Sequence, residues 1–195
     1  MKPLTLVIAL AVLAAGIGLF VFNDQQNKAL AEECPGHWHS GITFFVNDAR
    51  VNFNHASFES PASGHAHHMH PVKDAQGRIV RDDGVYHFHP GRTECIPLTA
   101  VGKVLDFSLT DDSLTMGAKH PLAGTYTGNA THQLKVFYDP KGSDDWSEVA
   151  WSDVSGDQMK NGDRILVTYG ALTPDMIAAQ KAQATDMSKY VPNDV

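Results

Sequence analysis

The chain is short of positive charge. Its 195 residues carry 15 Lys and Arg against 22 Asp and Glu, a formal net charge of −7. No basic patch is available to meet phosphates, so nucleic acid is excluded as the expected partner. Cysteine is scarce too, with two residues, Cys34 and Cys95, and no C-x-x-C redox pair. There is no H-E-x-x-H, no G-x-S-x-G and no P-loop. No internal repeat is present. The commonest hydrolase and nucleotide-binding chemistries therefore have no motif here.

Long apolar runs are absent with one exception. Leu4–Phe22 is 19 residues without a charge. As a helix it would extend about 28 Å, close to the thickness of a bilayer core. Lys2 precedes it and Asp24 follows, which predicts a single-pass anchor with everything after Asn23 on the extracytoplasmic side. The competing reading is a cleaved signal sequence, since Ala29-Leu30-Ala31 is an A-x-A site. The predicted organisation is a transmembrane anchor or signal sequence over 1–23, a polar linker over 24–33, a His-rich domain over 34–170, and a helical tail over 171–195.

Histidine is what the chain has in excess. Nine of its eleven histidines lie between His37 and His89. Four form two H-x-H triplets, His37-Trp38-His39 and His87-Phe88-His89. On a strand, residues i and i+2 share a face. Each triplet would then hold two imidazoles on one face and an aromatic residue, Trp38 or Phe88, on the other. Between them, Gly64-His65-Ala66-His67-His68-Met69-His70 offers His68 and His70 at the same spacing. Imidazole is the commonest transition-metal ligand among side chains. The expected metal site is therefore His37, His39, His87 and His89, with His68 and His70 as additional ligands. His55 is a weaker candidate. His120 and His132 lie outside the cluster and read as structural or surface residues. Copper and zinc both suit such a set, with Met69 as a soft thioether favouring copper.

In an exported domain the two cysteines read as a disulfide. Cys34 lies three residues before His37 and Cys95 six after His89, so a bridge would hold the two triplets together as antiparallel neighbours. Two free thiolate ligands for a soft metal are the alternative.

A coarse secondary structure follows. Ile42–Val46, a turn at Asn47-Asp48 and Arg50–Phe53 read as a hairpin. Residues 54–84 show no sustained period and read as a long loop. Gly84–His89 reads as a strand, and Pro97–Leu109 as a helix with an apolar stripe of Val101, Val104, Leu105 and Leu109. Residues 110–132 are turn-rich. Leu134–Tyr138 and Arg164–Tyr169 read as strands. Trp146 and Trp151 are expected to cover one end of the core. Thr173-Pro174-Asp175 is a helix start, but the helix from Pro174 to about Met187 has little apolar face. The order predicts an α+β domain: a mixed sheet with one packed helix, β-grasp (ubiquitin-like) in character, with an antiparallel sandwich as the rival.

The pattern resembles an uncharacterised group of membrane-anchored extracytoplasmic His-rich proteins of bacteria and archaea. The residues that carry it are His37-Trp38-His39, His68-Met69-His70, Gly84-Val85-Tyr86-His87, the segment Leu98–Phe107, and Ile165–Gly170. They span most of residues 34–170. About thirteen residues separate His70 from Gly84, and His89 stands where an acidic residue is more usual; both depart from the group's pattern. The resemblance implies an architecture and a location rather than an activity.

Three functional readings follow from these residues. Metal handling or sensing through clustered histidines is the first. The second is a metalloenzyme, hydrolytic or copper redox, with an open water position on the ion and Glu59, Asp82, Asp83 or Glu94 as candidate bases. A structural or interaction module with incidental histidines is the third.

Overall fold

The structure, a computed structural model, describes residues 38–53, 55–59, 67–76, 79–88, 97–157 and 159–187. The proposed anchor, the linker, both cysteines, His37, His65 and His89 lie outside the described residues. No helix among the described residues is long and apolar enough to cross a membrane.

The chain folds as a sheet-dominated α+β structure. The elements run β1 (Trp38–Val46), β2 (Ala49–Arg50), α1 (Ala56–Glu59), β3 (His67–Lys73), β4 (Ile79–Phe88) and α2 (Leu98–Val104). They continue with β5 (Phe107–Leu109), β6 (Ser113–Met116), β7 (Gly124–Thr127), β8 (Gln133–Asp139), β9 (Ser147–Val149), α3 (Trp151–Val154), β10 (Arg164–Gly170) and α4 (Pro174–Ala182). The large sheet has the order β3-β4-β1-β10-β8-β9, with β2 paired to the end of β1, and β5-β6-β7 form a second sheet. At the centre β1 and β10 run parallel, and every other pairing in the large sheet is antiparallel. These two central strands are Val-, Ile- and Phe-rich and buried almost throughout, as strands covered on both faces must be.

The first face of the sheet carries the main core. Ile42, Phe44 and Val46 of β1 meet Tyr86 and Phe88 of β4, Met69 of β3, and Ile165 and Val167 of β10. Helix α2 lays Leu98, Val101 and Leu105 on this face, and Leu109, Leu114 and Met116 of the small sheet complete it. The second face is thinner. Phe45, Leu166 and Phe137 pack there beneath Trp146 and Ile177.

Several sequence expectations change. The segment 54–84 is not one loop, because it contains α1, β3 and the first half of β4. Its strands lack an apolar period because β3, HHMHPVK, is mostly His, Pro and Lys around Met69 and Val72. The helix predicted to Leu109 ends at Val104, because Asp106 adopts a left-handed φ of 54° and turns the chain into β5. Trp146 and Trp151 sit in different clusters on opposite faces rather than covering one end together. Helix α4 is not a loose surface element. Thr173 caps it by accepting from the Met176 amide, Ile177 enters the second core, and Gln180 is fully buried with its side chain donating to Asp48 at 3.2 Å. A helix with so small an apolar face still packs, because it needs only one residue per turn to cover three.

Candidate metal centre

The sequence places Trp38 and Phe88 on one face and their neighbouring histidines on the other. The fold has this alternation. Trp38 and Phe88 stack at 4.3 Å between centroids, 11° from parallel, within the first core. His39 lies on the opposite face and is the only residue of β1 that is not buried.

Register then brings three imidazoles into line. His39 of β1 pairs with His87 of β4, and His87 pairs with His68 of β3. Directly paired residues share a face, so His39, His87 and His68 form a row across three neighbouring strands. The His39 and His87 rings are 4.3 Å apart and nearly perpendicular, at 82°. The His68 and His87 rings are 5.4 Å apart at 32°.

The two spacings have a backbone cause. The His39 amide donates to the Asn161 side chain at 3.0 Å, and its carbonyl accepts from the Gly162 amide at 2.8 Å. Both groups point away from β4. The His39–His87 pair is therefore of the non-hydrogen-bonded kind, in which Cα atoms approach to about 4.5 Å. On β4 the alternation turns the His87 backbone toward β3, so His68–His87 is the hydrogen-bonded kind, with Cα atoms about 5.5 Å apart. The turn Asn161-Gly162-Asp163 is thus what seats the first residues of β1. Ser40 adds to this by donating from its hydroxyl to the Lys160 carbonyl at 3.0 Å, and the Gly41 amide donates to the Asp163 carbonyl at 2.8 Å.

The row is partly shielded: His68 is 8% exposed, and His39 and His87 are half-buried. One step along the same face stands Arg164, the partner of Gly41 across β1 and β10. Its guanidinium donates to Asp139 from Nε at 2.6 Å and pairs with Asp144 through Nη2. Two carboxylates therefore offset the Arg164 charge.

The arrangement fits an imidazole-bound ion in part. With nitrogen–metal bonds of about 2.0–2.1 Å, two imidazoles on one ion place their centroids about 4.5–5.2 Å apart, from a right angle to a tetrahedral one. The observed spacings bracket that figure. The rings lie side by side, however, and among the described residues no three His, Cys, Asp or Glu side chains converge on one point. Closing a three-imidazole site requires His39 and His68 to lean over His87.

The remaining sequence candidates separate. His70 falls at the register shift between Met69 and Pro71, where the i, i+2 argument stops; its side chain lies outside the described residues. Met69 is a correction. It is fully buried in the first core, paired with Tyr86 on the face opposite the imidazoles, so it is no ligand for an ion at the row. The reason is the strand period of two: a residue between two same-face histidines must point away from them. His55 is exposed and bonded to Ser57 at 2.8 Å. His120 is a buried structural residue, its Nε2 held by the Leu105 carbonyl at 2.6 Å between the rings of Phe53 and Phe58. His132 stacks on Tyr169.

The chain matches no known protein family, no curated protein and no solved structure.

Proposed function

We propose that this chain is a membrane-anchored extracytoplasmic protein that binds a divalent transition metal, copper or zinc, through clustered imidazoles, and that it serves in metal handling or sensing. One observation carries the reading: His39, His87 and His68 occupy consecutive paired positions on three adjacent strands, with ring spacings of 4.3 and 5.4 Å. His37, His89 and His70 enter the proposal on their H-x-H spacing alone. When bound, the ion would be held by neutral imidazoles on a shielded face, where His87 is the ligand flanked on both sides. The Cys34–Cys95 disulfide belongs to the same proposal, and the antiparallel pairing of β1 with β4 supports it.

The anchor rests on the uncharged run Leu4–Phe22 after Lys2. The β-grasp reading rests on the sheet order. A hairpin-like pair, β4-β1, lies beside a parallel closing strand, β10, and then β8 and β9, with helix α2 between the two halves in sequence.

The test is metal titration of the full chain in detergent. A paired replacement of His39 and His87 by Gln abolishes tight Cu(II) and Zn(II) binding, and a paired replacement of His120 and His132 leaves it intact. Equal binding by the two double variants would overturn the proposal.

A further inference from the structure

Residues 183–187, which follow α4, stay against the sheet. Thr185 donates from its hydroxyl to the Asp83 carbonyl at 2.7 Å, and Met187 is 2% exposed. The Met187 Sδ lies 3.4 Å from the point where a Cβ on Gly41 would stand. Gly41 and His39 are two apart on β1 and share a face. Gly41 pairs with Val85 just as His39 pairs with His87. The sulfur therefore stands over Gly41, whose Cα lies about 6–7 Å along the strand from that of His39.

Met187 is buried and, like Val85, belongs to neither apolar cluster. Its Sδ lies over Gly41 and its Cβ over Gly142, each 3.4 Å from where a Cβ on that glycine would stand. Both glycines leave room for it. Methionine is unbranched, with three rotatable bonds, so its thioether is redirected along a face more readily than a branched side chain.

We propose that the Met187 thioether is a ligand of the same site and that it makes the site selective for reduced copper, Cu(I), over zinc. This rests on the reading of the imidazole row given above. A thioether is a soft ligand; mixed with imidazoles it suits Cu(I), whereas zinc is well served by imidazole alone. The C-terminal segment then completes the site, and metal occupancy fastens that segment to the sheet.

The test is a competition titration of the full chain in detergent, with Cu(I) against a chromophoric chelator and with Zn(II) in parallel. Met187→Leu, which conserves volume, is expected to weaken Cu(I) binding tenfold or more and to leave Zn(II) binding within about twofold. Wild-type Cu(I) affinity in a folded Met187→Leu chain would overturn the inference while leaving the imidazole site standing. If the chain with both His39 and His87 replaced by Gln still binds both ions, the row itself is refuted, and this inference with it. Should Met187→Leu fail to fold, the wild-type chain decides the matter. Labelled at its methionine methyl groups and titrated with Ag(I) in place of Cu(I), it should show the Met187 resonance moving at one equivalent while Met69, Met116 and Met159 stay still. A stationary Met187 resonance would overturn the inference.

Discussion

The Thr185 hydroxyl occupies the space that a side chain on Gly84 would need. Gly84 has φ of 77°, a left-handed conformation that costs other residues about 1–2 kcal/mol. Strand β4 and the C-terminal segment are thus fitted to each other at a position that only glycine fills. Gly84→Ala is expected to destabilise the fold by about 2–3 kcal/mol, as strain and displacement of Thr185 add. Adding Thr185→Ala should recover part of that loss and no more, because the strained φ remains. Chemical denaturation of the two variants checks this; a single variant within about 0.5 kcal/mol of wild type would show that the segment is not held there.

Asp139 is expected to be the most sensitive charged residue. Its carboxylate is fully buried, accepts from Arg164, and also accepts from the Ser143 hydroxyl at 2.8 Å and the Asp145 amide at 3.2 Å. Removing one partner of a buried ion pair costs about 3–5 kcal/mol, since the other charge is left behind. Asp139→Ala should fall in that range, and Asp139→Asn between it and wild type. Urea midpoints give the order directly, and an Asp139→Asn chain less stable than Asp139→Ala would contradict it.

His120 should give the fold an acid-sensitive component. Burial among Phe53 and Phe58 lowers its pKa from the usual histidine value, against the opposing effects of the Leu105 carbonyl and Asp106. Its Nε2 must donate to that carbonyl, which fixes the neutral tautomer, and its buried Nδ1 has no hydrogen-bond partner. A group with a lowered folded pKa binds its proton more readily when unfolded. Its contribution is therefore fully present above the unfolded value, about 6.5, and is lost as pH falls through the folded one. His120→Gln keeps an N–H donor and cannot titrate. The stability difference between it and wild type should shift against wild type as pH falls below about 6.5; a constant difference through that range would exclude the effect.

Two metal-binding predictions separate the faces of the sheet. Met69→Leu should leave Cu(II) affinity unchanged, because Met69 is buried in the core behind the row, and a Met-to-Leu exchange there costs less than about 1.5 kcal/mol of stability. His87→Gln should weaken binding more than His39→Gln or His68→Gln, because His87 is the neighbour of both other rings. Calorimetric titration ranks the four variants. A Met69 effect as large as that of His87 would place the ion on the other face.

Local chemistry fixed the parts of this protein that depend on neighbours in the chain. The Asn47-Asp48 turn has positive φ at both residues, 48° and 66°, as a two-residue hairpin turn requires. Thr173 caps α4, and Ile165–Tyr169 is a buried strand. The separation of His39 and His87 from Trp38 and Phe88 follows from a period of two and was legible in the triplets themselves. The third imidazole was not. His68 joins the row because β3 pairs with β4 in one register, and a slip of a single residue would have turned it to the other face. The same period that made Met69 look like a neighbour of two ligands sends it into the core. Met187 is at least a hundred residues from every member of the row, five residues beyond a helix with little apolar face, and no spacing in the sequence points to it. Which residues alternate is a property of the chain; which strands lie side by side, and what lies over them, is decided by the free energy of packing the whole sheet.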